Sequence, residues 1–192
     1  YGDTIKDWQI WNEPNAGWNE DPALAKGNAR QFGTPRNYYD LFVRTWKAGK
    51  ALDPSLRILP ALSSGYHGRD IPLLLRYGLG EYLDDGFTIH SYGGNYDRMM
   101  GARQLLSDGG YPDVPLGVTE VGTMAKPGDD EQSRAQANFV AETFLAVPAI
   151  PNPVFAVHYF KLHDRSPGTA TFGLLHGEDC EADRGIVAYH TV

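Results

Sequence analysis

Trp8-Gln9-Ile10-Trp11-Asn12-Glu13-Pro14-Asn15 is an aromatic stretch that breaks off in a polar cluster. Ile5, Trp8, Ile10 and Trp11 give the segment from Ile5 to Trp11 strand character. Pro14 has no ladder donor and Asn15 favours turns, so the strand stops and leaves Glu13 at its carboxyl end. Leu116-Gly117-Val118-Thr119-Glu120-Val121-Gly122 repeats the design: a short apolar run with a carboxylate, Glu120, at its tip. Folds built on parallel strands gather their chemistry at the carboxyl ends of those strands. The two carboxylates are therefore expected to face one pocket.

Between and beyond these tips the chain alternates strands and helices. Asn15 to Gly33 is a long Gly-, Asn- and Asp-rich loop carrying Trp18, and loops of that length are usually functional. Thr34-Pro35 caps and starts a helix with Tyr38, Leu41, Phe42, Thr45 and Leu52 on one face, ended by Asp53-Pro54. Leu56 to Leu62 reads as a strand running into the turn Ser63-Ser64-Gly65, and Asp70 to Leu83 as a helix. Phe87 to Tyr92 is a third strand, Asp97 to Leu106 a short helix and Pro115 to Glu120 a fourth strand. Asp130 to Val147 is a helix with Ala135, Phe139, Thr143, Phe144 and Val147 expected inward, and Val154 to Phe160 a fifth strand. The tail from His163 is loop-rich apart from an apolar run at Gly185 to Tyr189. Near-continuous apolar strands separated by helices specify a parallel sheet covered by helices, an α/β fold.

The chain has 192 residues, 42% hydrophobic and 21% charged, enough for a single domain with a core. Its net charge of −7 argues against nucleic acid and anionic membranes, both of which need a basic footprint. No run approaches the roughly 18 apolar residues of a membrane span. Cys180 stands alone, so neither an internal disulfide nor a cysteine zinc site is available. Tyr1 is not a start methionine, and the natural N-terminus is expected upstream, together with any targeting segment.

With these residues in view, the chain resembles the clan A retaining glycoside hydrolases, and most closely the family 39 and cellulase-like family 5 groups. Asn12-Glu13-Pro14 resembles the motif that ends strand four of their (β/α)8 barrel, and Thr119-Glu120 the tip of strand seven. His90-Ser91-Tyr92 resembles the strand-six motif whose His and Tyr line the sugar subsite, which implies His90 and Tyr92 as substrate-binding residues, and Phe172-Gly173-Leu174-Leu175 resembles the segment after strand eight. The resemblance implies a partial (β/α)8 TIM barrel covering strands 4 to 8. Residues 1–192 would then be one incomplete catalytic domain, with about a hundred residues of barrel expected before Tyr1 in the same polypeptide. It implies Glu13 as acid/base and Glu120 as nucleophile, a β-linked carbohydrate substrate, no cofactor, and an extracellular setting. The clan often has a Trp platform at the end of strand eight; this chain has Tyr159-Phe160 there, and the resemblance implies Tyr159 as the match.

Retaining hydrolysis needs two carboxyl groups roughly 5 Å apart, one starting protonated and one ionised. Like charges at that distance raise the proton affinity of one, which suits the acid. Trp8 and Trp11 flank Glu13, although alternation along a strand allows only one of them to face the pocket. Asn12 is placed to reach the sugar 2-hydroxyl and Tyr92 to bond Glu120, while Trp18 and Tyr159 offer flat faces to the ring. Blander readings exist for each: Asn12 as a turn cap, His90 as a satisfied core histidine, Trp18 as loop packing. Two further functions remain open. One is a non-catalytic carbohydrate-binding barrel; the other is a metal-dependent hydrolase using His90, His158 and His163 with a carboxylate, for which no H-x-H or H-E-x-x-H spacing is present.

Overall fold

The strands of the main sheet lie in chain order, β1-β2-β3-β4-β5, and every neighbouring pair is parallel. In this computed structural model, residues 4–16, 34–62, 67–93, 95–126, 128–152, 154–164 and 172–176 are described. They comprise β1 (Asp7–Ile10), α1 (Pro35–Leu52), β2 (Arg57–Leu62), α2 (His67–Arg76), β3 (Phe87–His90), α3 (Asn95–Asp108), β4 (Leu116–Val121), α4 (Asp130–Ala146) and β5 (Val154–Tyr159). A small parallel pair follows, β6 (His163–Asp164) with β7 (Leu175–His176). Trp18, the turn at Ser63 to Gly65 and the run at Gly185 to Tyr189 lie outside the described residues.

Strand order decides the architecture. A doubly wound sheet reverses direction at a switch point, which sends helices to both faces. Here the order never reverses, and crossovers between parallel strands are right-handed. All four helices therefore fall on one face and the sheet curls around the other, forming a half-barrel. The core lies between sheet and helices and includes Phe42, Ile58, Leu62, Ile71, Leu74, Phe87, Ile89, Met99, Leu106, Leu116 and Val118. Residues of the opposite parity point into the barrel. Thr88 Oγ1 lies 2.6 Å from the Pro60 carbonyl and 3.1 Å from Gln9 Oε1. Lower down, the Arg57 guanidinium pairs with Asp7 and sits 4.6 Å from the centre of the Phe155 ring.

Local signals set the helix ends. Thr34 Oγ1 accepts from the Asn37 amide at 3.3 Å, and Pro35 opens α1 as expected. The helix expected over Asp70 to Leu83 instead stops at Arg76, because Gly78 turns left-handed (φ 95°) and only a 3-10 turn, Leu79–Tyr82, follows. Two face assignments are corrected. Leu52, in the last turn of α1, is 84% exposed because the groove it lines with Trp8 and Leu56 is open. The buried stripe of α4 is Ser133, Gln136, Ala137, Val140 and Thr143, while Ala135 and Phe144 are exposed. Polar residues occupy this stripe because Gln136 and Thr143 find carbonyl partners at Thr123 and Phe139.

Tyr38 ties the first two strands together at their upper ends. Its fully buried hydroxyl accepts from the Ala61 amide at 2.9 Å and donates to the Ile10 carbonyl at 3.1 Å. Ladder pairing of β1 with β2 ends at Ile10↔Pro60, so the tyrosine continues the connection where backbone pairing stops. Burial raises its pKa well above the ordinary phenol value, and the hydroxyl stays a donor.

Candidate active site

Glu13 and Glu120, more than a hundred positions apart in sequence, come together at the carboxyl ends of β1 and β4. Between them lies the fully buried imidazole of His90, at the end of β3. His90 Nδ1 is 2.9 Å from Glu13 Oε1 and 3.3 Å from Glu120 Oε2. One oxygen of each carboxylate and a ring nitrogen of His90 all lie within 4.8 Å of one another. Both glutamate side chains keep about a quarter of their surface exposed, 28% and 24%, so solvent or a ligand reaches them.

Two backbone irregularities create this meeting. Trp11 and Glu13 both have left-handed φ, 68° and 45°. That conformation is uncommon for residues with a side chain and costs about 1–3 kcal/mol each. The chain thus hooks at the strand tip and brings Glu13 over the sheet end. On β4, a register shift after Ile89↔Val118 places Glu120, not Thr119, opposite His90. Without that bulge, alternation would carry Glu120 to the helix side.

His90 Nε2 is buried with no hydrogen-bond partner among the described residues. A bare ring nitrogen is cheaper to bury than an orphaned N–H donor. A proton on Nδ1 is placed to donate to Glu13, and the same nitrogen lies 3.3 Å from Glu120 Oε2. Tyr92 donates to Glu120 Oε2 at 2.7 Å. Burial first, and then the neighbouring Glu120 carboxylate, push the Tyr92 phenol above its ordinary value, so it holds its proton while bonding the carboxylate.

The remaining expected site residues are distributed less simply. Asn12 is exposed at the tip of the hook. Trp8 does not flank Glu13: with Ile10 it lies on the helix side, lining an apolar groove with Ala48, Leu52, Leu56 and Ile58. Trp11 is 43% exposed. Tyr159 packs on the Ala137, Val140 and Leu174 cluster, and its hydroxyl bonds the Thr123 carbonyl at 3.3 Å. The ring beside Tyr92 is Phe160, 37% exposed, in edge-to-face contact with Tyr92 (6.1 Å between centroids) and Phe172 (5.8 Å). Strand alternation held this signal: once Tyr159 faces the helices, the next residue faces the barrel. A bare glycine admits the cluster, because a Cβ on Gly122 would come within 2.5 Å of the Phe160 carbonyl and 3.1 Å of the Phe172 ring.

Among the described residues, Glu13, His90 and Glu120 are also the cluster spaced to hold a metal ion; His158 and His163 are not part of it. The trio of histidines weighed from sequence is therefore not assembled.

No protein-family profile matches the sequence, and no curated protein sequence does. The fold does have relatives among solved structures. A family 39 β-xylosidase from Caulobacter crescentus is similar at TM-score 0.69 and 24% identity, over 94% of this chain and 40% of its own. A family 39 glycoside hydrolase from Bacteroides cellulosilyticus is similar at 0.68 and 19%, over 97% of this chain and 41% of its own. A family 51 α-L-arabinofuranosidase from Thermotoga petrophila is similar at 0.63 and 16%, over 91% and 36%. The chain spans about 40% of the length of the first of these. The likeness is one of fold: five parallel strands with their helices form a half-barrel that matches part of the TIM barrels of these structures, as expected from the sequence.

Proposed function

We propose that this chain carries the catalytic carboxylates of a retaining β-glycoside hydrolase, with Glu13 as acid/base and Glu120 as nucleophile. The observation that supports it most is the pair of strand-tip carboxylates within 4.8 Å, bridged by one imidazole nitrogen. That spacing suits double displacement, whereas inverting pairs stand further apart to admit a water. Glu120 attacks the anomeric carbon while the glycosidic C–O bond breaks, and Glu13 gives its proton to the departing oxygen. Water then enters, Glu13 takes a proton from it, and the bond from Glu120 to the sugar breaks. His90, donating from Nδ1, fixes the first carboxylate against the second. Tyr92, donating to Oε2, leaves the other oxygen of Glu120 for attack. Asn12, Trp18 and Tyr92 are proposed sugar contacts, and Phe160 replaces the helix-facing Tyr159 as the ring face at the subsite.

The rest of the barrel is proposed to lie in the same polypeptide. Among the described residues, β1 and β5 are each paired on one side only, and the apolar groove beside β1 lies where the helix of a preceding β/α unit would pack.

The test is a screen of aryl β-glycosides with the intact polypeptide, alongside Glu13→Ala and Glu120→Ala. Turnover should fall by at least about 1000-fold in the Glu120 variant. Azide added to Glu120→Gly should yield a glycosyl azide. A non-catalytic carbohydrate-binding barrel would yield none and would bind sugars equally well in both variants. The metal spacing of Glu13, His90 and Glu120 keeps one other reading in view, a metal-dependent hydrolase; activity that survives a strong chelator removes it.

A further inference from the structure

The hook that carries Glu13 is fastened from a distance. Directly after Glu13, Pro14 and Asn15 are buried, and the Ala16 amide closes a turn on the Glu13 carbonyl at 3.0 Å. Asn15 is fully buried, and its Nδ2 donates to Oδ2 of Asp70 at 2.8 Å across 55 positions of sequence. Asp70 is itself fully buried in the first turn of α2, with its other oxygen 2.7 Å from Arg69 Nε. Burying a carboxylate is costly unless its oxygens are bonded, so a buried acid aimed at a loop commonly serves the loop. Burial pushes the Asp70 carboxyl above its ordinary value, against bonds from Arg69 and Asn15 that favour the ionised form. The Asn15–Asp70 pair holds Asn15, two residues beyond Glu13, whose φ of 45° is unfavourable unless its surroundings enforce it.

We infer that Asp70 is a positioning residue for Glu13: acting through Asn15, it locks the hook that aims the acid/base carboxylate, and leaves the nucleophile untouched. The inference rests on the assignment of Glu13 proposed above. Its signature is a defect in proton transfer alone. A phenyl leaving group needs the proton that Glu13 supplies; a dinitrophenyl group departs as a stable anion and does not. Misplacing a catalytic group by about 1 Å costs on the order of 100-fold.

The experiment compares phenyl and dinitrophenyl β-glycosides on the intact polypeptide and on Asp70→Ala, Asn15→Ala and the double variant. On phenyl glycosides kcat/KM should fall about 100-fold in each single variant and no further in the double, since the two residues act as one unit. On dinitrophenyl glycosides kcat/KM should stay within a few-fold of the parent. There kcat, limited by the water step, should fall and be restored by azide, which needs no base. Asp70→Asn keeps an oxygen acceptor but loses the charge, and should show the same selective loss at about 5-fold. If alanine at either position prevents folding, this variant decides alone. Equal losses on both substrates, additive losses in the double variant, or a parental leaving-group dependence in Asp70→Asn would overturn the inference. A parent inactive on every aryl glycoside would instead overturn the assignment of Glu13.

Discussion

Tyr92 shows how much at this site turns on single hydrogen bonds. It donates to Glu120 at 2.7 Å while its own ionisation is suppressed by burial and by that carboxylate. A neutral donor to a carboxylate contributes about 1.5–3 kcal/mol, so Tyr92→Phe should lower kcat/KM about 10- to 100-fold. Because the phenol titrates above its ordinary value near 10, the alkaline limb of the parent's pH–rate profile should not originate in Tyr92. Kinetics of parent and variant across alkaline pH check both statements: the variant should be slower throughout, with an unmoved alkaline limb.

At the scale of elements, the joints matter more than the spans. Tyr38 joins β1 to β2 through two buried backbone bonds, and Tyr38→Phe would leave the Ala61 amide and the Ile10 carbonyl without this partner. The expected loss is about 1–3 kcal/mol, read from thermal or denaturant unfolding. The sign of the pH effect follows from the raised pKa. Below the unfolded phenol value near 10, both states hold the proton and the stabilisation is complete. Above it the unfolded chain releases the proton while the native state retains it, so stability falls as pH rises toward the folded value. Tyr38→Phe should therefore flatten the alkaline loss of stability. Gly122 is the joint between β4 and the aromatic cluster. With the Phe160 carbonyl within 2.5 Å of where a Cβ would sit, Gly122→Ala should destabilise by about 1–3 kcal/mol. It should also raise KM for aryl glycosides through displacement of Phe160.

For the molecule as a whole, the half-barrel leaves an apolar edge open. Ile5, Trp8, Trp11 and Leu52 are each at least 42% exposed, an apolar concentration at the β1 edge. If the preceding β/α units belong to the same polypeptide, Trp8 emission in the intact protein should be blue-shifted and poorly quenched by acrylamide. The isolated 192-residue piece should bind a hydrophobic dye and scatter light by self-association. A dye-silent monomeric fragment would show that these edges need no partner.

The order of strands and helices, the parallel sheet and the two carboxylates at strand tips were all legible in the linear string. Those properties follow from local periodicity, turn chemistry and the ends they impose, which a linear string records directly. Tyr38 and Phe42 were likewise legible as the buried face of α1, because helical spacing fixes which residues share a side. Three things were left to the tertiary structure. The bulge that turns Glu120 toward His90 depends on pairing with β3, which no local pattern encodes. The choice of Phe160 over Tyr159 beside Tyr92 depends on which face of β5 meets α4. The fastening of Glu13 by Asp70 depends on a contact across 55 positions. Each is a decision about register or long-range packing, and such decisions are made only when separate elements meet.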